Sequence, residues 1–346
     1  MRTLIKASLR KAIGTAAPLM WRLKKAPALM IVTYHRVLPD SHPERAFEQP
    51  GMYVSPETLA MNLEVLKRHF ELMHLSEWLD RSRRGAELPR ATCCVTFDDG
   101  WRDNFEFGFP VLERAGVPAT IFLVSDFIGR SYDFWPNRLA RAIRSMEPGP
   151  RAKQSRAAVP QKLVPILRAA GLDPVSEPAA ATIPQIDAAI VGCKAMPDAE
   201  LMQLLEKWAT DAGIPGGFVA AGRSLLDESE LRAMSAKGLV NYGSHSRRHT
   251  RLIPSLDTAS LEDEVRGSRT ALERVVGNPV DIFCYPNGDY SPSALNAVRS
   301  VYAAAVTTEK GWNDAAMDRH LLRRMSIHDD IARNPSDFLA RVSGFL

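Results

Sequence analysis

The residues best suited to chemistry in this chain occupy two short segments, each placed directly after an apolar run. Asp98 and Asp99 are adjacent carboxylates that precede Gly100, and His245 and His249 lie four positions apart much later in the chain. Alone, Asp-Asp-Gly is a common turn signal, and a histidine pair at this spacing is weak evidence for a metal site. Together, two imidazoles and a carboxylate form a ligand set that leaves positions open on a divalent ion, as catalytic zinc sites do.

A ligand set with open positions points to hydrolysis rather than to a structural metal site. A bound divalent ion brings the pKa of its water to about 7 and polarises an acyl oxygen. Because Asp98 and Asp99 are adjacent, one can coordinate the ion while its neighbour stays free to act as a general base. The two segments therefore predict metal-assisted hydrolysis of an acyl bond.

Short apolar runs that alternate with helical patterns must position these side chains. The helical patterns include 56–69, with Ser55 as N-cap, 109–115, which ends at Gly116, and 256–276. Continuous apolarity over so few residues is typical of strands buried on both faces of a parallel sheet. Strand and helix in alternation predict an α/β fold with parallel strands. The apolar runs are 28–34, 92–97, 119–124, 239–242, 282–285 and 303–307.

One stretch, at about 133–222, breaks this alternation. It is rich in Ala, Pro and Arg, contains helical fragments such as 198–209, and shows no convincing strand. We interpret it as a helical insertion between two strands of a domain that covers 27–346. Two roles are open, because the insertion could cover the mouth of an active site or serve as a structural appendage.

The first 25 residues carry seven basic side chains and no acidic one, with apolar residues at helical spacing. No apolar run of signal-peptide or membrane-span length follows them. The segment 1–26 is therefore expected to form a basic amphipathic helix, which either contacts an anionic membrane surface or remains a solvated leader.

Charge and cysteine content limit the partners and the compartment. The 346 residues include 44 basic and 40 acidic ones, a net charge of +4, which is too balanced for a nucleic-acid binder. The four cysteines have no C-x-x-C spacing and are expected to be reduced thiols. Reduced thiols favour a cytoplasmic location. The basic N-terminal segment leaves open a peripheral contact with the membrane from that side.

The segments Thr-Phe-Asp-Asp-Gly at 96–100 and His-Ser-x-x-His at 245–249 resemble, in this order, those of the polysaccharide deacetylases (carbohydrate esterase family 4, the NodB homology domain). The resemblance covers about 28–330 and implies a distorted (β/α) barrel that removes acetyl groups from polysaccharides. By this resemblance Asp98 is the catalytic base, and Asp99, His245 and His249 bind a divalent metal, with Zn²⁺ as the expected ion.

Two further segments are similar to exopolysaccharide-type members of that family. Tyr-His-Arg at 34–36 lies on the first strand, and 283–288 matches the third motif in its Tyr-Pro-x-Gly form. In that motif the backbone N–H of Asn287 would donate to the oxyanion of the tetrahedral intermediate. Residues expected to contact substrate are Tyr285, Pro286, His35 and Trp312.

The chain departs from the family pattern at two places. Cys284 lies near the position where many members have an arginine that orients the base, and the Asp-x-x-Asp-Trp motif is absent. His328, near the end of a late strand, is the candidate for the general acid. Arg324 and His35 compete with it for orienting or protonating roles, so the acid is left open.

The leading functional hypothesis is a metal-dependent hydrolase that cleaves the C–N bond of an N-acetyl sugar in a poly- or oligosaccharide or a lipid-linked saccharide. A small-molecule amidohydrolase or a lipid-sugar deformylase is the alternative on the same fold, and a narrowed site would favour it. Two alternatives come from other classes. A non-haem iron oxygenase also uses two histidines and a carboxylate, but the ligand order argues against it. An inactive carbohydrate-binding protein is disfavoured by the intact ligand set.

Overall fold

The computed structural model describes residues 13–14, 26–176, 180–314 and 316–344. The basic segment predicted at 1–26 lies almost entirely outside these residues, so the expectation for it stays a prediction. The chain divides into two compact units. The first comprises the described parts of 1–39, 51–130 and 225–346, and the second comprises those of 40–50 and 131–224.

The first unit is built on a curled, mostly parallel sheet. Its strands are β1 (Ala28–Tyr34), β4 (Glu71–Leu72), β5 (Ala91–Phe97), β6 (Ala119–Leu123), β7 (Val240–Ser244), β8 (Ile282–Cys284), β9 (Ala304–Val306), β10 (Asn313–Asp314) and β11 (Met325–Ser326), and β2 (Arg36–Val37) pairs separately with β3 (Tyr53–Val54). The main order is β10-β1-β5-β6-β7-β8-β9, in which β10 alone is antiparallel to its neighbour; β4 pairs with β5, and β11 with β1. The carboxyl ends of the parallel strands therefore meet at one edge.

Helices of the first unit cover this sheet. They are α1 (Pro56–His69), α2 (Leu75–Arg83), α3 (Phe109–Ala115), α9 (Glu228–Ala236), α10 (Thr258–Glu262), α11 (Ser268–Val276), α12 (Pro292–Val301), α13 (Asp329–Ala332) and α14 (Pro335–Val342), numbered along the whole chain, with π-helical turns at Asn104–Gly108 and Asp263–Gly267. In α1, Ser55 caps the first turn by accepting from the N–H of Thr58, and Pro56 suits the first helical position. Leu59, Leu63 and Leu66 are buried against the sheet-based core.

The second unit has its own helical core. Its helices are α4 (Trp135–Ser145), α5 (Ala152–Ala157), α6 (Val164–Ala169), α7 (Ile183–Cys193) and α8 (Asp198–Asp211). Buried Leu139, Ile190 and Trp208 belong to one apolar cluster, and the indole N–H of Trp208 donates to the Ser155 carbonyl at 2.9 Å. An apolar cluster of this kind is what a compact helical unit needs to bury its amphipathic faces.

The sheet architecture agrees with the α/β barrel prediction. The first strand was expected at 28–34 and is observed there, and the five other predicted runs each overlap a strand of the main sheet. The helix predicted at 56–69 is observed with those bounds, and α3 ends at Gly116 in the left-handed conformation. The helix predicted over 256–276 is observed from Thr258 to Val276, with the π-helical turn Asp263–Gly267 joining α10 to α11.

The main chain pairs with itself where the first unit is interrupted after residue 130. Within that unit, the N–H of Leu225 donates to the Arg130 carbonyl at 3.4 Å, and the N–H of Gly129 donates to the Leu226 carbonyl at 2.8 Å. Leu225 also forms an antiparallel bridge with Trp101. The point at which the chain leaves this unit after residue 130 and the point at which it returns at residue 225 are therefore adjacent.

Strand β7 packs closely against its neighbours because it has a glycine at position 243. A Cβ at Gly243 would overlap the Phe122 ring on β6 and approach the Ile282 carbonyl oxygen at 3.0 Å. The Phe122 side chain is fully buried, and the Ile282 carbonyl belongs to the backbone of β8. Neither neighbour is a flexible side-chain end, so a larger residue must displace a packed strand.

Replacing Gly243 with Ala should destabilise the first unit by about 1–3 kcal/mol, the usual cost of overpacking a well-packed core. Gly51→Ala is the matched control, because a Cβ at Gly51 has no neighbour within 4 Å. Denaturant unfolding of both variants checks the prediction. Equal stability of the two variants would contradict the tight packing of β7 between β6 and β8.

Candidate active site

The two predicted motifs lie at the same edge of the sheet. Asp98 and Asp99 follow β5, and His245 follows β7, with only β6 between these strands. The Oδ1 atom of Asp99 lies 3.4 Å from Nε2 of His245 and 3.5 Å from Nε2 of His249. The structure therefore brings together three side chains from two distant segments of the chain.

Outer hydrogen bonds orient two of these three side chains, those of Asp99 and His245. The indole N–H of Trp101 donates to Oδ2 of Asp99 at 3.0 Å, which leaves Oδ1 facing the imidazoles. Nδ1 of His245 hydrogen-bonds the Cys284 carbonyl at 2.9 Å, so Nε2 is the nitrogen that can bind an ion. All three ligand atoms lie within 4.8 Å of one another. The donor set and its outer hydrogen bonds fit a divalent cation.

The backbone at this site adopts conformations that non-glycine residues rarely take. Asp99, Ser246 and His249 have φ values of 72°, 62° and 60°. Each such residue costs of order 1–3 kcal/mol, so the surrounding structure must hold it in place. Burial lowers the pKa of His249 to about 4. A neutral imidazole is the form that binds a metal.

Asp98 forms a buried ion pair with Arg324, which precedes β11. Nη1 and Nη2 of Arg324 each lie 2.7 Å from a different carboxylate oxygen of Asp98, and both side chains are almost fully buried. Burial alone would raise the pKa of Asp98, but the charge and hydrogen bonds of Arg324 outweigh it and hold that pKa below its usual value. Asp98 is therefore ionised and fixed in orientation.

The arginine that orients this aspartate comes from a different strand than the resemblance led us to expect. Nη2 of Arg324 lies 3.2 Å from Sγ of Cys284, the residue near the position where many relatives have arginine. Nε and Nη1 of Arg324 also donate to the Thr307 carbonyl at 2.9 Å and to Oγ1 of Thr33 at 3.0 Å. The small Cys284 side chain leaves room for the guanidinium to reach Asp98 from the start of β11.

Three other predicted residues lie at carboxyl ends of strands. Nε2 of His35, just after β1, is 3.8 Å from Oδ2 of Asp98, so His35 is part of the site. Asn287 has a left-handed backbone, φ 55°, in the turn that follows β8. His328 follows β11, which pairs with β1, and its Nδ1 is 3.9 Å from Oδ2 of Asp330. Of the two histidines, His35 is the one whose ring lies beside Asp98.

The positions of three predicted substrate contacts do not support that role. Tyr285 is fully buried, and its ring packs against Phe283 and Tyr290 at centroid distances of 5.4 and 5.0 Å. Pro286, the next residue, is also buried. Trp312 donates to the Val342 carbonyl at 3.0 Å and precedes β10, which pairs with the amino end of β1. Packing contacts account for both Tyr285 and Trp312.

The sequence interpretation missed Trp101, although it directly follows Asp-Asp-Gly. Trp101 is buried and donates to Asp99, and Cζ of Arg36 lies 4.1 Å from the centroid of its ring. The sequence did contain a signal for this contact, because Trp101 supplies an indole N–H two residues after the predicted ligand Asp99. Carboxylates that bind a metal usually accept a second hydrogen bond from a neighbouring group.

Removing the cation of the buried pair with Arg324→Met should destabilise the protein by about 3–5 kcal/mol at neutral pH, because Asp98 is left buried without a partner. The pKa of Asp98 in the folded state is below its unfolded value, so the pair stabilises the fold above the unfolded value and loses that effect as pH falls. The difference in free energy of unfolding between the wild type and Arg324→Met should therefore become smaller at acidic pH. Denaturant unfolding at neutral and acidic pH measures it.

The double variant Arg324→Met with Asp98→Asn is the control for this measurement. It should recover part of the lost stability, because a neutral amide is less costly to bury than an unpaired carboxylate. A double variant no more stable than Arg324→Met alone would contradict the ion-pair account.

Comparisons with known proteins show which family this chain is similar to. A family model described as polysaccharide deacetylase matches residues 85–149 and 202–306. A Bacillus subtilis (strain 168) protein named as a putative polysaccharide deacetylase, YxkH, is 45% identical over 86 residues, which are 22% of this chain and 31% of that relative. The alignment thus spans less than a third of that relative.

Solved structures show a similar fold. The chain matches IcaB from Ammonifex degensii with a TM-score of 0.57 and 16% identity, over 91% of this chain and 98% of that one. It matches the deacetylase PplD of Streptococcus pyogenes with a TM-score of 0.56 and 16% identity, over 89% and 96% of the two chains. The segments matched by the family model contain Asp98, Asp99, His245 and His249. Over the two segments that the family model matches, this chain is similar to the polysaccharide deacetylases.

Proposed function

We propose that this protein is a metal-dependent deacetylase that hydrolyses the N-acetyl group of a saccharide. The observation that carries the proposal is a fixed, ionised Asp98 directly beside the donor set of Asp99, His245 and His249. Similarity to a family of hydrolases favours this function over an oxygenase built on the same ligand types. The expected substrate is an N-acetylated poly- or oligosaccharide or a lipid-linked saccharide.

Asp99, His245 and His249 would hold the cation, for which we propose Zn²⁺. When bound, a divalent cation supplies Lewis acidity toward water and the acyl oxygen. Asp98 accepts the proton of the attacking water. Its two oxygens each accept from Arg324, and each carboxylate oxygen retains a further lone pair for that proton. Arg324 keeps the carboxylate ionised and correctly turned.

The remaining steps need an oxyanion donor and an acid. We propose that the backbone N–H of Asn287 donates to the oxyanion that forms when water adds to the acetyl carbon. The C–N bond then breaks, and the leaving amine takes a proton from an imidazole. His328 is our assignment for that imidazole, with His35 as the competing residue because of its position beside Asp98.

The cysteines support the proposed cytoplasmic location. Cys93, Cys94, Cys193 and Cys284 are all free and buried, as expected of thiols in a reducing compartment. Contact of the basic N-terminal segment with a membrane surface stays a prediction. Within the described residues, no helix has the length and apolarity needed to cross a bilayer.

Asp98→Asn should lower acetate release from N-acetylglucosamine oligomers by about 10²–10⁴-fold, the contribution of a general base, while metal content stays near that of the wild type. Acetate is measured with and without a chelator, and metal by elemental analysis. Asp80→Asn is the matched control, since Asp80 is a largely exposed carboxylate in surface ion pairs. Undiminished turnover in Asp98→Asn would remove the base assignment, and a wild type that binds metal but releases no acetate would favour a binding protein.

The pH profile should identify the acid. Burial lowers the pKa of His328 below its ordinary value, so kcat should decline as pH rises past a value below the ordinary pKa of histidine if His328 donates the proton. His328→Gln should abolish this alkaline decline and His35→Gln should retain it. Persistence of the decline in His328→Gln, with its loss in His35→Gln, would transfer the role to His35.

A further inference from the structure

The loop that carries His245 and His249 needs support from outside itself. Ser246 and His249 both have left-handed backbone conformations, and the loop is neither helix nor strand. A short irregular segment with two such residues does not hold two imidazoles in a fixed arrangement on its own. The contacts of this loop with neighbouring elements therefore decide how well the metal ligands are preorganised.

The carboxylate of Glu264 accepts hydrogen bonds from loop residues on both sides of His249. Its Oε2 accepts from the backbone N–H groups of Arg247 and Arg248, each at 2.9 Å, and its Oε1 accepts from Oγ1 of Thr250 at 3.0 Å. Oε1 also lies 3.0 Å from Nη2 of Arg248. Glu264 is only 1% exposed, so these bonds are shielded from water. Hydrogen bonds to an ionised group are stronger than neutral ones, and these converge on residues that flank His249.

The π-helical turn Asp263–Gly267 presents this carboxylate. In it Asp263 and Glu264 both reach the loop, because Oδ2 of Asp263 accepts from Nη2 of Arg248 at 2.8 Å and Oδ1 also pairs with Arg247. π-helical turns inside α-helices are frequent at functional sites. The π-helical turn between α10 and α11 therefore has a structural consequence at the histidine loop.

The loop is also held by main-chain hydrogen bonds from β6. The N–H groups of Ser125 and Asp126, after β6, donate to the carbonyls of Ser246 at 3.3 Å and Arg247 at 3.0 Å. The peptide units between His245 and His249 are thus fixed by two separate elements. The Glu264 side chain is the part of this clamp that a substitution can remove.

We propose that Glu264 is a positioning residue that sets the metal affinity of the site by fixing the loop between His245 and His249. The proposal rests on the proposed metal-dependent function. Glu264 acts through the backbone of Arg247 and Arg248, which connects the two histidines. Loss of an outer hydrogen-bond partner of a metal site typically weakens metal binding about 10–100-fold.

The test is the dissociation constant of Zn²⁺, measured by competition with a chromophoric chelator, for wild type, Glu264→Ala and Glu264→Gln. Glu264→Ala should bind Zn²⁺ about 10–100-fold more weakly. Glu264→Gln should fall between, because its amide oxygen can still accept from the two N–H groups. Glu262→Ala and Glu262→Gln are matched controls, since Glu262 is a largely exposed residue of α10 that pairs with Arg266, and both should bind as the wild type does.

A second readout separates positioning from general stability. The rise in Tm on adding Zn²⁺ should be smaller in Glu264→Ala than in Glu262→Ala, because weaker binding stabilises the fold less. Wild-type affinity in Glu264→Ala, with only a lower Tm in the absence of metal, would overturn the proposal while leaving the proposed function intact. If Glu264→Ala does not fold, Glu264→Gln decides: affinity equal to that of Glu262→Gln would overturn the proposal. A wild type without Zn²⁺ binding would overturn both.

Discussion

The site depends on the burial of two ionised carboxylates on consecutive residues. Asp98 and Asp99 are both buried at the end of β5, and buried charges of the same sign are tolerated only when each has its own compensation. The backbone separates them, since Asp99 has φ 72°, so the two side chains meet different partners. Arg324 neutralises Asp98, whereas Asp99 faces imidazoles and accepts from the Trp101 indole. This division makes one carboxylate suited to proton transfer and the other to coordination.

The loops at the carboxyl edge are fixed by two similar devices. Before and within the π-helical turn Asn104–Gly108, Asp103 accepts from the N–H of Val37 at 2.8 Å and from Nε of Arg36 at 2.9 Å, and Asn104 donates to the His35 carbonyl at 2.8 Å. The second π-helical turn holds the histidine loop in the same manner. In each case a carboxylate on or next to a π-helical turn, Asp103 or Glu264, accepts from backbone N–H groups that follow a strand of the main sheet. Irregular loops thereby acquire the rigidity that catalytic geometry requires.

The sheet and the ligand set could be predicted because their signals are local. A continuous apolar run such as 92–97 indicates a buried strand, and the residue types after it indicate chemistry. The partner of Asp98 could not be assigned in the same way. Arg324 is 226 positions away from Asp98, and only the packing of β11 beside β1 shows that its guanidinium reaches past Cys284. The contacts of Trp312 could not be predicted from the sequence for a related reason. An aromatic residue gives the same sequence pattern whether it lines a binding groove or packs against a helix.

The pairing of residues 129–130 with 225–226 has a consequence for how such a chain can diversify. Residues 129–130 and 225–226 are already hydrogen-bonded neighbours. The stretch between them could therefore be shortened, exchanged or lengthened at little cost in loop-closure entropy to the folding of the sheet. Leu225 bridges Trp101, whose indole contacts Asp99. Exchange of the stretch 131–224 at this junction would thus leave Leu225 paired with Trp101, next to the segment that contains Asp99.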